Sequence, residues 1–289
     1  MTSVNLSETE TAYFKRFARW RIIVILLTVT LVFTITSAVT IGPMQIPPLD
    51  VLKVIVRNLP LLGTFVEGGS LPLEEAVVIQ VRLPRILAAA IVGIALAVAG
   101  VVLQGLLRNP MADPYIIGIS AGAGLGASLA ITFGIGFSLL GVLNSVPLMA
   151  FITALCTVFM VYNIARKGGG VPMLTLLLVG IAVNSFLSAV ISFIEIVSGE
   201  ALHVIIFWIL GSFAVCNWNY VKIALPFVTV GVVLIYVFAR DLNIILLGEE
   251  QAQHLGVDTE RLKKIMLASA SLITAAAVSI SGIIGFIGL

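Results

Sequence analysis

The chain has 289 residues, of which 60% are hydrophobic and only 10% are charged. A soluble domain carries roughly a quarter charged residues, so this set cannot coat a water-facing surface. The net charge of +2, with no basic patch interleaved with aromatics, gives no footing to a nucleic-acid partner.

Residues 1–21 are polar and end in Lys15, Arg16, Arg19 and Arg21. The apolar run 22–41 follows with no small-residue cleavage site, which predicts a retained first helix behind a cytoplasmic tail. A spanning helix needs about 20 apolar residues, because ~30 Å of hydrocarbon is crossed at about 1.5 Å per residue. Runs of that size lie at 22–41, 86–107, 114–165, 168–194, 223–239 and 265–289. The third is long enough for two spans and is punctuated by Gly134, Gly136, Gly141, Asn144 and Pro147, where it should divide. Segment 49–59 alternates apolar and charged faces at helical spacing and predicts an interfacial amphipathic helix.

Segment 204–214 is apolar but too short to cross. If it stays on the outer side, the inner loops hold eleven basic residues: Lys15, Arg16, Arg19, Arg21, Arg108, Arg166, Lys167, Arg240, Arg261, Lys263 and Lys264. The outer loops then hold five: Lys53, Arg57, Arg82, Arg85 and Lys222. This bias places the basic side in the cytoplasm. The expected fold is therefore all-α, a polytopic transmembrane bundle over 22–289 with seven complete spans. Its N-terminus would be cytoplasmic in an inner or plasma membrane, its spans facing lipid. Cys156 and Cys216 read as small apolar residues rather than a disulfide or metal pair.

Small residues repeat at four-residue spacing in the second span (Ala89, Gly93, Ala97) and the third (Gly118, Gly122, Gly126). Such stripes let helices approach closely in lipid; the alternative is the wall of a translocation path, with Gln104 and Asn184 as polar points along it. Arg82 and Arg85 stand three apart around Pro84, at an expected helix start. They are either snorkelling anchors or a paired positive site for an acidic partner. The turn Arg108-Asn109-Pro110-Met111-Ala112-Asp113-Pro114 should be stiff. Inner segment 246–257 predicts a short helix with Glu249 and Glu250 at its start and His254 at its end, as the helix dipole favours. Gly256 would stop it and Ala252 would face outward, against a partner or into solvent. The glycine-rich inner loop 166–172, with Gly168, Gly169 and Gly170, is either part of a gate or a flexible connector.

No charged residue lies mid-span, whereas ion-coupled carriers usually need an intramembrane acid or histidine. That disfavours a secondary carrier or channel as the alternative. There is no phosphate-binding GxxxxGK[ST] loop, so any ATPase must be a separate chain.

The stretches RLPRILAAAIVGIALAVAGVVLQGLLRNPMADPYIIGISAGAGLGA (82–127), LLLVGIAVNS (176–185), WILGS (208–212), LLGEEQAQHLGV (246–257) and SGIIGFIGL (281–289) together resemble the FecCD family of ABC importer permeases. The resemblance implies a permease subunit, not an enzyme, that imports an Fe(III)-siderophore, haem or cobalamin by alternating access. It implies a second permease subunit (a homodimer), an ABC ATPase pair carrying ATP and Mg, and a substrate-binding protein. No catalytic residue, metal or cofactor is expected on this chain. Arg82 and Arg85 match arginines that dock the binding protein. Glu249, Glu250, Ala252, His254, Leu255 and Gly256 fall in the segment that couples to the ATPase. Family members have ten spans, so the resemblance predicts more spans than these 289 residues hold.

Overall fold

The computed structural model describes residues 6–58, 72–136, 138–139, 143–168 and 170–289. The chain divides into two compact units, 1–86 and 87–289.

In the first unit, helix α1 (Leu6–Thr40) is continuous, so residues 6–21 extend the first span as helix. Helix α2 (Pro48–Arg57) is the expected amphipathic one; Leu59, the end of the predicted segment, lies outside the described residues. Pro48 opens it at a position where a missing N–H costs nothing. Asp50 in the first turn and Arg57 in the last complement the dipole. Its buried face, Val51 and Val54, joins Val39, Ile46 and Val78 in a small core.

Helix α3 (Pro72–Ala76), a π-turn at Val77–Arg82 and α4 (Leu83–Leu107) follow without interruption. A helix start was expected at Pro84; the helix instead passes through it. In the π-turn Leu83 donates its N–H five residues back, to the Val78 carbonyl. That wider turn gives room just where the Pro84 ring, lacking an N–H, would collide with the preceding turn of an α-helix.

The second unit holds α5 (Ile119–Thr132), two-residue strands β1 (Ser138–Leu139) and β2 (Leu143–Asn144), α6 (Ser145–Ala165), α7 (Met173–Val197), α8 (Leu202–Ile209), α9 (Trp218–Val237), α10 (Ala239–Ile245), α11 (Glu249–His254) and α12 (Thr259–Ser281). The strands form one antiparallel pair, with Ser138 opposite Asn144.

Among the described residues, six helices are long and apolar enough to cross a membrane: Ala18–Thr40, Leu73–Leu107, Ser145–Ala165, Met173–Val197, Trp218–Val237 and Thr259–Ser281. The remaining expected span is built in two pieces. A 3₁₀ turn at Pro114–Ile117 meets the 14-residue α5 at Gly118, whose φ of +94° no other residue type adopts comfortably. Together they reach about 29 Å, at about 1.5 Å per α and 2 Å per 3₁₀ residue. With eight residues, α8 covers only about 12 Å and does not span. The last expected span, 265–289, is shifted: α12 starts at Thr259 and stops at Gly282, where φ is +70°. Residues 282–289 then fold back into the bundle. The Asp258 side chain caps α12 by accepting the Arg261 N–H at 3.0 Å, which draws Arg261, Lys263 and Lys264 into its first turns rather than a loop. Helix α12 is the axis of the unit, packed against α5, α6 and α9.

Candidate functional site

The two small-residue stripes behave differently. On α5, a Cβ at Gly122 would lie 2.4 Å from Thr157 Oγ1, and one at Gly126 2.5 Å from the Met149 carbonyl. Both glycines seat α6, whose Thr153 and Thr157 turn their hydroxyls onto their own backbone. Gly118 is not on the helix at all; it is the hinge described above. On α4 the expected stripe is not the packed one. Around Gly93 there is open space to 4 Å, and Ala97 is exposed. The tight face of α4 instead carries Gly100, where a Cβ would collide with the Gly288 carbonyl, and Gly105, which meets Leu242 at 3.2 Å.

The polar points hold this packing together. Gln104 Nε2 donates to the Gly288 carbonyl at 3.2 Å, and Tyr115 Oη to that of Ile284 at 2.9 Å. Asn184 Nδ2 donates to the Tyr115 carbonyl at 2.9 Å, while Gly180, one turn away on α7, lets the Ile116 carbonyl approach. Gln104 and Asn184 thus pin segment 282–289 and the 3₁₀ turn into the bundle.

The arginine pair is split by burial. Arg82 is only 8% exposed. Its guanidinium donates to the carbonyls of Val39 (2.8 Å), Thr40 (3.1 Å) and Met44, orphan acceptors at and beyond the end of α1. A side chain at Gly42 would strike this guanidinium at 2.6 Å. Arg85, one turn on, is exposed.

At the end of the bundle that carries α11, α4 stops in a Schellman turn. Arg108 N–H bonds to the Gly105 carbonyl and Asn109 N–H to that of Gln104. Arg108 occupies the left-handed position at φ +48°, where glycine is usual. The turn beyond is held as the sequence suggests: Asn109 Oδ1 accepts from Met111 N–H and Asp113 Oδ1 from Tyr115 N–H. Leu106, Leu107 and Arg108 face Met173, Gly248 and Glu250 across an open cavity of about 450 Å³.

Helix α11 ends as predicted, with Gly256 at φ +85° and Val257 N–H bonded to the Ala252 carbonyl. Ala252 does not face outward: it is fully buried, in contact with the core. Its small side chain lets α11 lie down on α10 and α12. What α11 presents is Glu250, Gln251, His254, Leu255 (64% exposed) and Gly256.

One pair of residues was missed by sequence reasoning. Lys263 is 4% exposed; its Nζ pairs with Glu249 at 3.0 Å and with Glu260, and reaches the Val171 carbonyl at 3.5 Å. Glu260 also accepts the Val171 N–H at 3.2 Å. On either side of Gly169, Lys167 and Gly170 exchange two backbone bonds, and Gly168 takes φ +60°. Gly169 lies outside the described residues. Glu260 and Lys263 stand at i,i+3, the spacing at which helical charges meet, and that was the available signal. Among the described residues no three metal-ligating side chains gather.

Long apolar helices around a buried axis, with a short helix fixed at one end, define a multi-pass membrane protein. Residues 27–289 match the FecCD transport family, and the chain belongs to that family. It is 47% identical over 215 residues to the cobalamin import system permease protein BtuC of Halobacterium salinarum, covering 74% of this chain and 57% of that one. It is 38% identical to the hemin transport system permease protein HmuU of Yersinia pestis (73% and 63% covered), and 39% to the molybdate import system permease protein MolB of Haemophilus influenzae (75% and 64% covered). A solved structure described as a metal-chelate type ABC transporter in an inward-facing conformation superposes with a TM-score of 0.76 at 32% identity, over 92% of this chain and 78% of that one. The chain thus spans about 57–64% of the length of these curated relatives.

Proposed function

We propose that this chain is the transmembrane subunit of a binding-protein-dependent ABC importer that moves a metal chelate by alternating access. The supporting observation is α11: a short helix anchored by buried Ala252, presenting Glu250, His254 and Leu255 beside a 450 Å³ cavity. A helix of that kind suits a groove on a cytoplasmic partner. ATP and Mg would be bound and hydrolysed on that partner, an ABC ATPase pair, with no metal or cofactor held by this chain. Relatives named for cobalamin and hemin favour a bulky chelate as cargo, Fe(III)-siderophore included.

The subunit would pair with a second copy, in the cytoplasmic membrane with its N-terminus inside, so that α11 and its basic neighbours face the cytoplasm. The substrate-binding protein would dock at the other side. There Arg85 is the exposed member of the arginine pair, whereas Arg82 is buried against the end of α1. By exposure, docking would rest on Arg85 more than on Arg82, which would hold the surface beside it.

The test is co-purification of the complete permease, tagged, with its candidate ATPase. Leu255→Glu is the control, because Ala252→Arg would bury a charge and disrupt α11 whatever binds it. Stoichiometric ATPase that falls about tenfold in Leu255→Glu supports the reading. A permease that purifies alone moves the secondary-carrier reading to first place. Arg85→Glu should weaken binding-protein affinity about tenfold, and unchanged affinity would remove it from the docking surface.

A further inference from the structure

Helix α11 is tied to the rest of its unit at both ends. At its start Glu249 pairs with Lys263, and near its end Gln253 Nε2 donates to Thr259 Oγ1 at 3.0 Å. Both partners lie at the beginning of α12, the most enclosed of the long helices, with 78% of its apolar window buried. The Lys263 ammonium is shut away from water and holds three acceptors on three segments: Glu249 of α11, Glu260 of α12 and the Val171 carbonyl after the glycine loop. Glu260 closes the circuit through the Val171 N–H. Gly170 lacks a side chain where a Cβ would lie 3.0 Å from that carboxylate. Attraction between such charges is much stronger away from bulk water, and a buried lysine stripped of partners is costly. One ammonium thus links the three segments.

We propose that Lys263 is the joint that passes displacement of α11 to the inner end of α12 and to loop 166–172. This rests on the importer reading, and it assigns to one positioning residue the transmission between ATPase docking and an inner gate. Without Lys263, α11 still packs through Ala252 and Gln253 and still presents Leu255. A partner would bind, but its movement would not reach the loop.

The experiment compares wild type, Lys263→Met, Lys263→Arg and Glu260→Ala in the complete permease. Methionine fills the space without leaving a buried charge, and the two carboxylates it frees are already partly in water. In the first arm the purified permease is exposed to trypsin, which cuts after Arg166 and Lys167. Cleavage there is expected to be several-fold faster in Lys263→Met and Glu260→Ala, and near wild type in Lys263→Arg. In the second arm the ATPase-bound complex is reconstituted with its binding protein, and uptake is measured against ATP hydrolysed. That ratio should fall about fivefold or more in Lys263→Met while ATPase still co-purifies, and Lys263→Arg should recover most of it. Unchanged cleavage or an unchanged ratio overturns the proposal. So does loss of ATPase from Lys263→Met to the extent seen in Leu255→Glu, since Lys263 would then only shape the docking face. If Lys263→Met does not fold, Glu260→Ala decides by the same criteria. A wild-type permease that carries no ATPase would sink the importer reading itself, and the joint's role in transport with it; the trypsin arm would show which failure had occurred.

Discussion

Helices α7 and α12 lie in the same unit and are nearly equal in length, yet they meet opposite surroundings. Of α12's apolar window 78% is buried, against 22% for α7. The buried helix is the less apolar one: Ser269, Ser271, Thr274, Ser279 and Ser281 are all nearly inaccessible on α12. Phe186, Phe193 and Ile196 stand out from α7 at 65%, 65% and 81% exposure. In lipid the apolar side chain gains nothing by leaving the solvent, so strong hydrophobicity marks the outside. The interior is selected for small size and close contact. Three of these hydroxyls, on Thr274, Ser279 and Ser281, turn back on the helix, as Thr274 does to the Ala270 carbonyl at 2.7 Å and Ser281 to that of Ala277 at 3.0 Å.

The strongest way to break this contrast is to enlarge the axis. Ala275 is fully buried, so Ala275→Leu should cost about 1–3 kcal/mol through overpacking. The check is the thermal unfolding midpoint in detergent, or the monodisperse yield. A neutral result would mean that α12 is not tightly enclosed.

A smaller effect of opposite sign is expected at Ser271, which is 2% exposed and whose Oγ has no partner. An unsatisfied buried hydroxyl costs about 1–3 kcal/mol, so Ser271→Ala should raise stability by about 1 kcal/mol in the same measurement. A loss would reveal a partner for that hydroxyl in the working protein.

The spans themselves were legible because partition into lipid is a local property of about 20 residues, and it can be summed along the chain. The short α8 and the stop at Gly256 were legible for similar reasons, one of length and the other of backbone conformation. What failed depends on which neighbour a residue meets. Ala89, Gly93 and Ala97 have the same spacing as Gly118, Gly122 and Gly126. Spacing cannot say that Gly93 faces open space and Ala97 is exposed, or that Gly118 is a hinge rather than part of a stripe. Ala252 looked outward because its helix is short and polar; only the closeness of α10 and α12 turns it in. Arg82 and Arg85 look equivalent in sequence, but only Arg82 is buried, against the end of α1. In sequence Lys263 is one more inner charge, and its carboxylate partner Glu249 comes from 14 residues earlier in the chain.

The smallest expected effect is the sharpest test of the contrast, since it requires that almost nothing happen. Phe186 projects from α7 at 65% exposure, and in a bilayer Phe186→Leu would exchange one lipid-facing apolar side chain for another. Stability should change by less than about 0.5 kcal/mol, and uptake by the complete importer should be unaltered. In a soluble protein an aromatic to aliphatic change on a buried face would remove real packing, and here there is none to remove. A large loss would therefore carry information of its own. It would mean that this face of α7 is covered in the assembled protein, by a second copy or by another helix, and that the pale burial of α7 belongs to the isolated chain alone. Phe193, seven residues on along the same face of the helix and 65% exposed, would then mark how far the covering surface extends. Conservative substitutions along that row would trace its edge, because each change falls silent where lipid resumes.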